Sequence, residues 1–176
     1  MKKILLAIWL VLLIGAGIWL IKEYNKKSVT KPDVLSTTTA ITSLCHINGV
    51  LPDINCTPGA IDPTVTEENI YQTICVKGYT TKVRPPVEYT QKLKQQQIQD
   101  YGFADTNLQD YEEDHLISLE LGGHPTDPKN LWPEPDAAPN PKDTVENRCH
   151  QKVCTGKMKL ADAQRQIATN WPTACQ

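Results

Sequence analysis

Six cysteines constrain this chain more than any other feature. Cys45, Cys56, Cys75, Cys149, Cys154 and Cys175 all lie beyond an apolar N-terminal segment of the 176-residue sequence. An even set in a small domain behind an export-like segment points to disulfides made in an oxidising compartment. No Cys-x-x-Cys pair is present, which disfavours the competing zinc-site reading. Six cysteines allow many full pairings, and spacing alone does not choose among them. Cys149 and Cys154 are five apart on one proposed helix and point different ways, so they are not expected to pair. The working assignment closes a local loop with Cys45–Cys56 and joins Cys75 to Cys154 and Cys149 to Cys175.

The N-terminus sets the expected compartment. Ile4–Ile21 follows Lys2 and Lys3 and carries no charge. Its length is at the lower limit for a membrane-spanning helix. Trp9 and Trp19 suit the two interfaces. Residues 15–17 read Gly-Ala-Gly, a conceivable cleavage site, but the apolar run continues past them. An uncleaved anchor at residues 1–22 is therefore preferred over a removed signal peptide, with residues 4–21 in the lipid bilayer. Lys22, Lys26 and Lys27 follow the segment, so flanking charge does not orient it. The cysteines do, placing a single-pass protein's domain on the extracytoplasmic side; cleavage would make it secreted. Residues 23–44 read as a polar tether. Residues 45–176 have the size of one single-core domain.

Within that domain, Glu113-Asp114-His115-Leu116-Ile117-Ser118-Leu119-Glu120-Leu121-Gly122-Gly123 is the most specific run. Leu116, Ile117, Leu119 and Leu121 predict an apolar strand opened by the Asp-His pair. Gly122-Gly123 is a turn signal. Asn130-Leu131-Trp132 predicts a returning strand. Four prolines between 133 and 141 then forbid regular structure. A helix is expected from about Pro141 to Cys154, with Asn140 as cap and Gly156 as stop. Helices are also predicted over 66–75, 90–101 and 160–171, each on its spacing. The fold class is α+β: a small hairpin-plus-helix core embedded in helices and loops.

The residue chemistry points to hydrolysis. His is the side chain whose ordinary pKa lies near neutrality, so His115 is the candidate general base. Asp114 offers hard oxygens suited to Mg²⁺ or Mn²⁺, with Zn²⁺ less favoured. Neighbours on an ideal strand point to opposite faces, so the strand is expected to begin irregularly at Asp114 and His115.

These pieces resemble the HNH, or ββα-metal, nuclease motif. The wider run from about Cys56 to Trp171 resembles a group of small, often exported bacterial HNH-like proteins. The likeness is carried by Cys56-Thr57-Pro58-Gly59-Ala60, Thr73–Thr80, Val83-Arg84-Pro85-Pro86, Asp114–Pro133, Lys142-Asp143…Glu146 and Val153–Gly156. Ser118 stands where the family often has Pro. The resemblance implies metal-assisted phosphodiester cleavage in DNA or RNA. It implies Asp114 as metal ligand, His115 as base and Asn130 as the residue that bonds backbone and orients the His-bearing strand. The motif's third position, a helix ligand to the metal, falls on His150 or on Asn140.

Charge argues the other way. Beyond residue 27 the chain has thirteen Lys and Arg against nineteen Asp and Glu. Nucleic-acid proteins usually carry a basic footprint. Phosphate contacts would rest on a local patch such as Lys82, Arg84, Lys129 and Lys152. Glu112-Glu113 reads as a solvated charge run, and Trp132 as core beside the motif. A second class of function therefore stands beside the endonuclease: a catalytically inactive, disulfide-stapled binding domain on the same fold. The presence together of Asp114, His115 and Asn130 favours the enzyme.

Overall fold

Pro85-Pro86 separates the first two helices, because proline lacks the amide a helix interior needs and restricts the residue before it. In the computed structural model, which describes residues 45–135 and 139–176, α1 spans Tyr79–Val83 and α2 spans Val87–Asp100. Helix α2 has Pro86 as its cap residue, four residues before the Thr90 cap expected. The described residues all fall in one unit, Thr42–Gln176. The expected anchor at 4–21 and tether at 23–44 lie outside the described residues. Among the described residues no helix is long and apolar enough to cross a membrane.

Strand β1, Tyr111–His115, pairs antiparallel with β2, Leu131–Pro135. Asp114 faces Trp132 and His115 faces Leu131 across the ladder. The strand therefore lies earlier than expected. The Asp-His pair ends it rather than opening it, and the ladder is regular there. Leu116, Ile117, Leu119 and Leu121 are all buried, but not as a strand. A strand alternates its faces, whereas this segment must turn every apolar side chain inward. It does so as a loop with a 3₁₀ turn at Leu119–Leu121, where Ser118 Oγ accepts from Glu120 N.

Two glycines close that loop for different reasons. Gly122 has φ +73°, a left-handed conformation. At Gly123 a Cβ would lie 1.7 Å from the Ile117 carbonyl oxygen and 2.7 Å from Asn130 Nδ2, so only glycine fits. Helix α3, Lys142–Cys154, then packs beside the loop, and α4, Leu160–Asn170, packs beside α3. The helix expected over 66–75 is instead a chain of turns with one 3₁₀ segment at Ile70–Gln72. Asn69 explains it. Its side chain accepts from Thr66 N and donates to Thr64 O, while Thr73 Oγ1 donates to Asn69 O. Such side-chain bonds offer the backbone an alternative to a helical ladder.

The main core gathers Ile117, Leu121, Val145, Val153, Leu160 and Ile167 with others. Fully burying each large aliphatic side chain is worth about 1.5–3 kcal/mol. A smaller cluster joins Tyr101, Leu116 and Trp132 under the hairpin. Three disulfides staple the unit: Cys45–Cys56, Cys75–Cys154 and Cys149–Cys175. The pairs are those of the working assignment. The class is α+β, with a two-stranded sheet among helices and turns.

Candidate active site

The end of β1, α1, the 118–120 turn and the first two turns of α3 enclose a polar cavity of about 250 Å³. Both Asp114 and His115 line it, together with Thr80, Arg84, Glu113 and Glu146 among others. They can share it, although neighbours on a strand diverge, because the cavity sits where the strand ends.

His115 is 7 % exposed. Its Nε2 lies 2.9 Å from the Pro125 carbonyl oxygen, so that nitrogen carries the proton and donates. Nδ1 is then the lone-pair nitrogen, and it makes no hydrogen bond among the described residues. Burial lowers the imidazole pKa against the opposing effects of the Pro125 bond and Asp114, and Arg84 and Lys142 lower it further. The ring is thus neutral at physiological pH.

Asn130 is fully buried and works on backbone. Its Oδ1 accepts from Ile117 N at 2.9 Å. Its Nδ2 donates to Ile117 O at 2.9 Å and His124 O at 3.1 Å. The loop that presents the Pro125 carbonyl to His115 is therefore pinned by one amide.

Asp114 is engaged by the protein's own cation. Lys142 Nζ, in a residue 1 % exposed, donates to Asp114 Oδ1 at 3.0 Å and Oδ2 at 2.9 Å. The same ammonium donates to the His115 carbonyl at 2.8 Å and Glu146 Oε1 at 2.6 Å. Trp132 Nε1 adds a bond to Asp114 Oδ2 at 3.1 Å. Burial pulls the Lys142 pKa down, but Asp114 and Glu146 outweigh it and hold it above its ordinary value. Burial pushes Glu146 up, with Lys142 opposing.

The two candidates for the third motif position are not brought to Asp114. Asn140 Nδ2 donates to Glu134 Oε2 at 2.6 Å and to Glu112 Oε2 at 3.3 Å, while its Oδ1 accepts from Lys142 N at the helix start. His150 Nε2 lies 2.9 Å from Ile74 O, and Nδ1 lies 3.8 Å from Glu120 Oε2. The ligand set implied by the resemblance therefore does not converge. Among the described residues, the one group of three whose ligand atoms lie within 4.8 Å of one another is Cys75, His150 and Cys154. That group could hold a metal ion, but the two sulfurs are joined in a disulfide and are not thiolate ligands in that state.

Several site carboxylates went unread in the sequence. Glu113 is not part of a solvated run: both its oxygens are buried without a partner. Burial raises its pKa to about 8, with Lys94 opposing. Glu134 is raised to about 7, again chiefly by burial. The legible signals were strand alternation, which puts Glu112 beside Asp114, and the i,i+4 spacing of Lys142 and Glu146. Arg84 is exposed at the cavity rim and makes no ion pair among the described residues. No family model, curated protein or solved structure matches this chain.

Proposed function

We propose that this chain is an HNH-type phosphodiester hydrolase acting on nucleic acid, DNA or RNA, tethered by its N-terminal segment with the stapled domain on the extracytoplasmic side. The observation that carries the reading is His115. A buried, neutral imidazole is fixed at Nε2 by the Pro125 carbonyl, which leaves Nδ1 unbonded as a base on a residue that lines a polar cavity. Water attacking a phosphodiester needs such a base to take its proton, an effect worth 10²–10⁴-fold. Arg84, on the same cavity, supplies a planar donor for the phosphate oxygens. Asn130 and Lys142 hold the backbone on either side of the imidazole. The Mg²⁺ or Mn²⁺ implied by the resemblance would act, when bound, as a Lewis acid on phosphate. The residues assigned to hold it do not gather, so it has no part in these steps. The three disulfides support the extracytoplasmic placement.

Full-length protein incubated with plasmid DNA and with RNA tests this. Cleavage is expected from the wild type and not from His115→Ala. Unchanged turnover in the variant removes His115 from the mechanism. One observation favours the second reading, a binding domain without catalysis: Glu112, Glu113, Asp114, Glu120, Asp143 and Glu146 all line the cavity. Such a lining repels phosphate and attracts cations. Absence of cleavage of either nucleic acid would select that reading.

A further inference from the structure

We infer that the Lys142 ammonium occupies the position of a divalent cation between Asp114, Glu146 and the His115 carbonyl, so that the pocket works with no metal ion on Asp114. The cation position itself is independent of the hydrolase reading; the metal-free reaction rests on it.

Four oxygens from three residues converge on Nζ at 2.6–3.0 Å. Two carboxylates and a backbone carbonyl form the hard-oxygen set that Mg²⁺ and Ca²⁺ ordinarily take. The spacing, however, is that of N–H···O bonds. It exceeds the ~2.0–2.1 Å of Mg²⁺–O and, for most of the set, the ~2.3–2.6 Å of Ca²⁺–O. A metal at this point would have to displace an ammonium that is 1 % exposed, or sit within a few ångströms of it and be repelled. The two side chains that the resemblance offers as a further ligand are turned elsewhere: Asn140 to Glu134 and Glu112, and His150 to Ile74.

The arrangement follows from local geometry. Lys142 and Glu146 are one helical turn apart at the start of α3 and are ion-paired. The strand end offers them one carboxylate and one carbonyl. Lys142 touches no reacting atom in this scheme. It is a positioning residue that fixes the backbone of His115 from one side, while Pro125 fixes the ring from the other.

The test is a titration of full-length protein with MnCl₂, reading free Mn²⁺ by electron paramagnetic resonance. The wild type should show no stoichiometric site up to roughly 1 mM, the weak end of hard-cation affinities. Lys142→Met should acquire one, which adding Asp114→Asn removes, and its Tm should rise with Mn²⁺. A stoichiometric wild-type site abolished by Asp114→Asn overturns the inference. So does a folded Lys142→Met that binds no Mn²⁺. If Lys142→Met fails to fold, the comparison of wild type with Asp114→Asn decides alone. Cleavage supplies the second readout. Wild-type turnover should persist in EDTA, while Lys142→Met should lose most of it and regain part on adding Mn²⁺. Wild-type cleavage that requires added Mn²⁺ or Mg²⁺ overturns the inference as well. No cleavage in any arm would count against the hydrolase reading, and the Mn²⁺ titration would still decide the cation position.

Discussion

The two ends of α3 are held by opposite means. At its start, Lys142 and Glu146 meet Asp114 and the His115 carbonyl through charge-assisted hydrogen bonds. At its other end, Cys149 and Cys154 are bonded covalently to Cys175 and Cys75. Burying charges is costly unless every partner is present, and replacing such a network with apolar packing is often neutral or stabilising. The first end therefore adds little net stability for what it demands. Its use is geometric, placing the His115 backbone and imidazole. The second end supplies what a small core lacks, a restricted unfolded chain. One helix thus joins a polar device to a covalent frame.

The largest expected effect separates the two ends by activity. His115→Ala should cut cleavage by about 10²–10⁴-fold with circular dichroism and Tm near wild type. A large loss of Tm would show that the polar end is structural after all.

Breaking the polar network on one side should be next. Asp114→Ala strands the buried Lys142 ammonium and should cost about 3–5 kcal/mol in denaturant unfolding. Asp114→Ala combined with Lys142→Met and Glu146→Leu, which removes every charge of the network, should recover most of that loss. If the single variant unfolds within about 1 kcal/mol of wild type, the network is not the closed unit described.

The covalent end should respond by loop length. In the chain-entropy model, the Cys75–Cys154 bridge, with a separation of 79, is worth about 4.5 kcal/mol. Cys149–Cys175, at 26, is worth about 3.5 kcal/mol, and Cys45–Cys56, at 11, about 2.8 kcal/mol. Paired Cys→Ala variants measured in urea should follow that order. A reversed order would locate the stabilisation in native contacts instead.

The remaining effects are confined to part of the pH range. The His115 pKa is lowered in the folded state, so its share of stability is present above the ordinary 6.5 and is lost as pH falls. The same shift puts the acid limb of kcat/KM below pH 6.5, and a limb above 6.5 would exclude a buried neutral base. Glu113 behaves oppositely. Raised from 4.5 to about 8, it binds a proton in the folded chain that the unfolded chain has released. Its effect is a loss of stability as pH climbs from about 4.5 to 8. Glu113→Gln should flatten that fall, raising Tm at pH 8.5 and changing it little at pH 5. An unchanged slope would place Glu113 in solvent.

How far the site could be read in advance differs residue by residue. The backbone-bonding role of Asn130 was legible only through the resemblance to the HNH motif, and Gly122-Gly123 was legible only as a turn. The helix of α3 was legible from the Pro141 start and the Gly156 stop. The strand was misplaced by its apolar neighbours. Leu116–Leu121 has strand-like composition, but its apolar side chains all turn inward, and Glu112-Glu113-Asp114 makes the ladder despite its charge. Lys142 was not legible as a partner of Asp114, because 28 residues separate them.

The sequence by itself determined what is local or countable. It holds an even set of six cysteines behind an apolar segment, an α+β order of elements, helix boundaries marked by proline and glycine, and a His-bearing segment closed by a glycine turn. Only the tertiary structure decided which charges share a cavity. Hydrophobic periodicity and capping act over a few residues, and the chain prints them directly. An ion pair between a strand end and a helix start depends on how two separately formed elements pack. That packing is why the cation beside Asp114 is Lys142, and why Asn140 and His150 face other partners.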